Sequence, residues 1–219
     1  PIVVGALHWD RAPLSSRHKY LVYNTAFLVD TGSVPFRPYY KMKLVPFSEV
    51  IPFEGLFPIL SRVNLGEADF SRGTAPVVFH VGERIKCVPL VCYEVIYPNF
   101  VRTRVRAGAN VLLNITNDGW FGRSGGPFHH AGMARMRCIE NGISMVRCAN
   151  SGISMLVDPL GRVSAKTGLY EHTVLTGNVP LRHLRTLYFR WGDWVVWVSI
   201  GGVAAALVVV VVGRPRKTS

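Results

Sequence analysis

Val88-Pro-Leu-Val-Cys-Tyr-Glu-Val-Ile-Tyr-Pro98 decides how this chain is read. Val88 to Val91 is an unbroken apolar run and predicts a buried strand that stops where Cys92, Tyr93 and Glu94 begin. A thiol at the end of a buried strand, before a turn into a helix, is held rigidly with its sulfur toward a cleft. Cys92 is therefore a candidate nucleophile. The competing reading is a small core residue, because free cysteine is among the most buried residue types.

Working outward, Val77 to His80 and Arg84 to Val91 predict a hairpin that turns at Gly82-Glu83. Further upstream, Ile2 to Leu7 and Tyr23 to Asp30 predict two more strands, the second closed by the turn Thr31-Gly-Ser33. His8 to Tyr20 reads as the loop between them, and Val34 to Tyr40 as a third extended piece. Ile51 to Gly73 carries Phe53, Leu56, Phe57, Ile59 and Leu60 with little polar cover, and reads as a short packed helix or an exposed apolar arm. Downstream, Asn99 to Ala107 predicts a helix ended by Gly108, and Asn110 to Ile115 another buried strand. Thr116 to Gly122 is a turn-rich loop holding Trp120 and Phe121, the kind of segment that displays function. His129 to Asn141 predicts an amphipathic helix with Met133, Met136 and Ile139 on its apolar side. Ser144 to Ala149 and Ser154 to Val157 form a strand pair, and Val174 to Val179 a last strand. Strands in pairs, interrupted by two helices, indicate an α/β domain with helices outside paired sheets.

The totals set limits on function. With 219 residues, 49% hydrophobic and 17% charged, the chain buries a full core and is too apolar for disorder. Trp194 to Val212 runs 19 residues without a charge, long enough to cross a bilayer as a helix, although a buried core helix is the competing reading. Trp191, Trp194 and Trp197 cluster at one end as interfacial aromatics do, and Arg214, Arg216 and Lys217 follow the other; by the positive-inside rule the tail is cytoplasmic. The net charge of +12 is spread widely, apart from Arg102, Arg104 and Arg106 and the cluster Arg182, His183 and Arg185. No nucleic-acid motif accompanies it, and attraction to anionic lipid is the better use of that charge in a tethered domain. Cys87, Cys92, Cys138 and Cys148 show no CxxC pair and no zinc spacing; a bridge between Cys138 and Cys148 stays open, and no metal or cofactor is expected. No initiating Met or signal peptide precedes Pro1, so the sequence is expected to be part of a longer protein.

A thiolate attacking an ester or amide carbonyl needs a base, oxyanion donors and an acid for the leaving group. Lys41 is a candidate partner, because a nearby ammonium lowers a cysteine pKa. Glu49, eight positions on, is placed to anchor that lysine or its loop, while Lys43 reads as a surface residue.

Six segments carry a resemblance: Tyr40-Lys-Met-Lys-Leu-Val-Pro-Phe-Ser-Glu49, Val91-Cys-Tyr-Glu94, Asn117-Asp-Gly-Trp-Phe-Gly122, Met133-Ala-Arg-Met-Arg137, Arg147-Cys-Ala-Asn-Ser-Gly-Ile153 and Asp158-Pro-Leu-Gly-Arg162. In order and density they resemble the apolipoprotein N-acyltransferases, bacterial membrane enzymes with a nitrilase-like domain. The resemblance runs from about Tyr23 to the C-terminus, and Thr186-Leu-Tyr188 and Gly192-Asp-Trp194 before a final span fit it as well. It implies a nitrilase-like αββα sandwich over residues 1–190, a transmembrane helix over 191–213 and a basic cytoplasmic tail over 214–219. The enzymatic domain would then lie on the periplasmic side of the inner membrane. The resemblance further implies a Glu-Lys-Cys site. Cys92 takes an acyl chain from a phospholipid as a thioester and passes it to the amine of a diacylglyceryl-cysteine on an apolipoprotein. Lys41 matches the family's catalytic lysine, Glu49 and Glu94 match supporting carboxylates, and the Tyr93 N–H is placed to hold the oxyanion.

Two departures stand out. The family's general-base glutamate lies well upstream of its lysine, whereas only Asp10 and Asp30 precede Lys41 here, and neither has the matching context. The base is thus expected to be absent from these 219 residues, and the chain alone to be inactive. His129 also stands where the family shows glutamine, with His130 keeping the next position. The rivals are a nitrilase-type amidase that passes the acyl group to water, a membrane-anchored binding protein with a dead site and, from the charge alone, a nucleic-acid binder.

Overall fold

The computed structural model describes residues 1–14, 19–30, 37–50 and 70–212. Three antiparallel strands, β1 (Ile2–Arg11), β2 (Tyr20–Val29) and β3 (Arg37–Tyr40), form one sheet in that order. Strands β4 (Phe79–Val81), β5 (Ile85–Val91), β6 (Val111–Thr116), β7 (Ser144–Ala149), β8 (Met155–Val157) and β9 (Val163–Lys166) form a second, also in sequence order. Helix α1 (Pro98–Arg106) connects β5 to β6, and helix α2 (Gly126–Asn141) connects β6 to β7. These helical crossovers make β5, β6 and β7 parallel, whereas the pairs at either end of the sheet are antiparallel. Helices α3 (Leu187–Trp191) and α4 (Trp194–Val212) complete the described chain.

The apolar run of β5 is explained by burial on both faces. Val88 and Leu90 pack with Leu112, Val101, Val105, Ala134 and Met145 beneath the helices. The alternate residues Cys87 and Val91 face the three-stranded sheet, in a second core with Ala26, Tyr39, Phe79 and Val111. Pro89 is tolerated inside this strand because β4 pairs only with Ile85, Lys86 and Cys87. The missing N–H therefore falls where β5 has no neighbour on that side. The next N–H on the same side, Val91, is left free for a side chain.

The layers are helix, six-stranded sheet, three-stranded sheet. The nitrilase-like α/β arrangement is present, but among the described residues no helix covers the outer face of the three-stranded sheet, where Ile2 and Val4 are exposed. The predicted fourth layer is not found there.

Several local expectations are corrected. His8 to Tyr20 is not all loop: β1 and β2 stay paired as far as Arg11 and Tyr20, with Trp9 opposite Val22. Leu7 and Trp9 are exposed on this stretch, so polar and aromatic residues are tolerated in a ladder that serves no core. Helix α2 begins three residues earlier than expected, with a proline in its first turn, where a lost N–H is harmless. It turns Ala131, Ala134 and Cys138 to the sheet, together with polar His130, Arg137 and Asn141, while Met136 and Ile139 are 46% and 39% exposed. Small residues allow close helix–sheet packing, and buried polar ones disguised the inner face. The helix ends at Gly142, in a left-handed conformation (φ 61°) that caps Cys138 O and that a side chain adopts only at a cost.

No strand forms over 174–179. The sheet edge is taken by β9, which hydropathy missed because it is short and mostly exposed. The 174–184 segment is held instead by Val179 against the inter-sheet core, by Ser144 Oγ donating to Pro180 O (2.6 Å) and by Leu184 N donating to Gly142 O (2.7 Å). The turn at 31–33 and residues 51–69 of the apolar arm lie outside the described residues. Among the described residues no helix is long and apolar enough to cross a membrane. Helix α4 nevertheless occupies the charge-free stretch, and its side chains are described as far as Val210.

The helix faces can be tested by denaturation in detergent. Ala134→Leu is expected to cost about 2 kcal/mol by overpacking, and Met136→Ala less than about 0.5 kcal/mol. The reverse order would refute the assignment.

Candidate active site

Cys92 is the first residue after β5 and opens a short 3-10 turn, Cys92–Ile96. Its φ is +51°, in the left-handed region that a non-glycine residue occupies at a cost of about 1 kcal/mol or more. The strained turn lifts the thiol out of the sheet and leaves it half-buried. The other three cysteines are also free, so no Cys138–Cys148 bridge forms. Cys138 is buried on α2, and Cys148 is exposed on β7. Burial pushes the Cys87 thiol up to about 11 and raises that of Cys138 further, so neither competes as a nucleophile.

Glu94, fully buried two residues on, holds this turn in place. One carboxylate oxygen accepts from Val91 N (2.8 Å), the other from Met42 N (2.7 Å) and Lys43 N (3.1 Å), and the Tyr39 hydroxyl donates to both (2.8 and 2.9 Å). Burial raises the pKa of Glu94, while the N–H groups of Val91 and Met42, the Tyr39 hydroxyl and the N–H of Lys43 pull it down. Burial and the adjacent carboxylate push Tyr39 far above its ordinary value, so it remains a donor. A single carboxyl group thus binds the segment after Lys41 to the segment before Cys92.

Lys41 is itself fully buried, and its ammonium donates to both oxygens of Glu49 (2.8 and 2.7 Å). Glu49 also accepts from Val45 N (2.8 Å) and Asn24 Nδ2 (3.3 Å), which fixes the loop between them. Lys43 points out over the rings of Tyr97 and Phe100. Tyr93 meets Tyr97 edge-on, with ring centroids 5.8 Å apart, and its ring lies 6.5 Å from that of His130. Asp10 and Asp30 are engaged elsewhere: Asp10 accepts from the Tyr40 hydroxyl (3.2 Å) at the surface, and Asp30 lies 3.9 Å from the amino terminus. His129 is exposed in the first turn of α2. Among the described residues no cluster of three or more metal-ligating side chains occurs.

Sequence reasoning missed the ionic network under the turn. Asn114 on β6 is in register with Leu90 and Arg147 on neighbouring strands, which lines up a polar row across the sheet. Arg147 donates to Asn114 Oδ1, to Asp118 Oδ2 (2.7 Å) and to Ile153 O (3.1 Å). His130 spans from Asp118 to Cys92, with Nδ1 2.8 Å from Asp118 Oδ1 and Nε2 3.3 Å from Cys92 O. Asn114 Nδ2 reaches Leu90 O (3.0 Å) and Cys92 O (3.5 Å). Burial pushes the Asp118 carboxyl up, but His130, Arg147 and Thr116 outweigh it and hold the carboxyl below its ordinary value. Gly152 is required beside it, because a Cβ there would run into the Asp118 carboxylate. The available signal was Arg147 itself: a charge inside an apolar strand needs a buried partner.

A cysteine on a strained strand-end turn is tied through Glu94 to the loop that follows a buried lysine–glutamate pair, all within a nitrilase-like α/β domain. The carbon–nitrogen hydrolase family model matches residues 1–188, and the chain belongs to that family. Among curated relatives, the apolipoprotein N-acyltransferase of Chlorobaculum tepidum is 39% identical over 212 residues, covering 94% of this chain and 40% of that protein. Those of Geobacter metallireducens and Rickettsia prowazekii are 39% and 36% identical, covering 92% and 83% of this chain. This chain spans 38% and 36% of their respective lengths. The carbon–nitrogen hydrolase of Helicobacter pylori G27 shares the fold at 20% identity, with a TM-score of 0.57 over 82% of this chain and 62% of that one. Saccharomyces cerevisiae Nit3, of the nitrilase superfamily, does so at 20% identity, with a TM-score of 0.52 over 69% and 51%.

Two outcomes are expected from this geometry. Asp118→Asn leaves Arg147 buried without its counter-charge and costs about 3 kcal/mol at neutral pH. Because the folded-state pKa of Asp118 is depressed, that difference is full above the ordinary value of 3.8 and is lost as pH falls through the folded value. Urea unfolding of both proteins at several pH values measures it, and a pH-independent difference would contradict the ionic role. Separately, Cys92→Gly should melt no lower than Cys92→Ala, because glycine accepts the positive φ without strain.

Proposed function

We propose that this chain carries the nitrilase-like part of an apolipoprotein N-acyltransferase. The observation that carries the reading is Glu94, which accepts at once from the N–H groups of Val91, Met42 and Lys43 and so couples the Cys92 turn to the Lys41 loop. In this reading the Cys92 thiolate attacks the ester carbonyl of a phospholipid. The Lys41 ammonium and the Tyr93 N–H hold the oxyanion. The acyl–oxygen bond breaks, the alcohol leaves with a proton as lysophospholipid, and a thioester remains on Cys92. The amine of a diacylglyceryl-cysteine at the end of an apolipoprotein then attacks the thioester, forming an amide and releasing the thiolate. Glu49 and Glu94 keep Lys41 and the two loops in place, and a glutamate outside these 219 residues serves as base.

The surroundings suit lipid substrates. Trp120, Phe121 and Phe128 are exposed around the site, and the Phe121 ring lies 6.2 Å from that of His130. Helix α4 is apolar on every side, a pattern suited to lipid rather than water. Its 19 residues carry no charged side chain. We assign residues 191–213 to the inner membrane, 1–190 to its periplasmic side and 214–219 to the cytoplasm.

The test is intact mass after incubation with phospholipid vesicles, for the 219-residue chain and for a form extended upstream in its reading frame. A hydroxylamine-sensitive acyl adduct is expected in the extended form, absent from Cys92→Ser and discharged only when an aminoacyl-lipid acceptor is added. An adduct lost at once to water would make the protein an amidase-like hydrolase. Lipid binding without any adduct would make it a binding protein with a dead site.

A further inference from the structure

A second concave site lies at the opposite end of the parallel strands from Cys92. It is a pocket of about 640 Å³ where Arg106 at the end of α1 meets His183, Arg185, Phe189, Arg190 and Trp191. Asn110, also in its wall, donates from its backbone N–H to Lys86 O (2.8 Å) near the start of β5. Cys92 follows the last residue of that seven-residue strand. At ~3.3 Å per residue the two sites are roughly 20 Å apart.

The pocket is built rather than incidental. Arg102 donates to the carbonyls of Phe189 (3.0 Å) and Arg190 (2.9 Å) and so fixes helix α3 against α1. Among the described residues none of the ion pairs involves Arg106, Arg185 or Arg190, and no carboxylate lines the pocket. Three arginines lining one cavity, with no carboxylate among the described lining residues, give it a positive field that an anion fits. Guanidinium is the side chain best matched to phosphate oxygens. Phe189 and Trp191 supply an apolar wall, and Trp191 meets Trp194, the first residue of α4, edge-on at 6.0 Å. The pocket therefore sits at the root of the helix assigned above to the membrane, at the level of lipid headgroups.

We propose that this pocket binds the phosphate of an anionic phospholipid and docks the domain on the bilayer, as a site distinct from that of the acyl donor at Cys92. The inference rests on the membrane reading of α4.

Native mass spectrometry of the full chain in detergent tests it, with dioleoyl phosphatidylglycerol, dioleoyl phosphatidylcholine and soluble glycerol 3-phosphate as probes. Phosphatidylglycerol should bind more tightly than phosphatidylcholine and weaken about fivefold in each of R106Q and R185Q. Cys92→Ser should leave it unchanged, and millimolar glycerol 3-phosphate should not displace it. Because both arginines are exposed, the variants should melt with the parent, which excludes unfolding as the cause. Equal lipid binding by parent and variants, or equal binding of the two lipids, would overturn the proposal. Displacement by glycerol 3-phosphate would reassign the pocket to a soluble phosphate ester and overturn it as well. Arginine-dependent lipid binding without a Cys92 thioester in the upstream-extended form would sink the acyltransferase reading alone. A thioester with arginine-independent binding would sink this one alone. Release of the chain from cell membranes by alkaline carbonate would remove the membrane reading, and with it the docking role.

Discussion

The buried carboxyl of Glu94 is the interaction on which the rest of the site depends. A strand that ends in a left-handed turn leaves its last N–H without a ladder partner, and a loop leaving a second sheet leaves two more. Glu94 accepts all three, from Val91, Met42 and Lys43, together with the Tyr39 hydroxyl. Four donors converging on one group offset its desolvation, and the geometry they impose is shared by both sheets. Cys92 and the loop after the buried Lys41 are therefore positioned through one another's backbones, not independently. That is a rigid way to hold the Cys92 thiol.

A second layer of control lies beneath it. Asn114 and His130 reach the Cys92 carbonyl from the helix side of the sheet, backed by Asp118 and Arg147, while Glu94 and Tyr39 act from the side of the other sheet. The strained residue is thus bracketed by two satisfied polar networks. A positive φ at a cysteine persists only where its surroundings over-determine it. At the far end of the same strands the arginine pocket shows the opposite condition: among the described residues none of the ion pairs involves Arg106, Arg185 or Arg190.

What was legible in the sequence follows from local physics. The apolar runs of β5 and β6 announced buried strands, the hairpin at Gly82-Glu83 was set by turn chemistry, and the end of α1 by Gly108. Cys92 was conspicuous because reactive chemistry followed directly on a buried run. The reading failed where polarity is satisfied by partners distant in sequence. Helix α2 hid its inner face, because His130 and Arg137 are buried while Met136 is not. The strand expected at 174–179 was lost to β9, because hydropathy alone does not say which segment takes a sheet edge.

By itself, the sequence determined the α/β class, the end of the buried strand at Cys92 and the closeness of Glu49 to the Lys41 loop, since each depends on residues within a few positions of one another or on a motif. Only the tertiary structure decided that Glu94 serves the backbone of two sheets, that Asp118, His130 and Arg147 form one buried ionic unit, and that Arg106, Arg185 and Arg190 face a common cavity. The physical reason is shared. Desolvation and charge pairing depend on distances in space, and those are set by register and crossover, which no local pattern encodes.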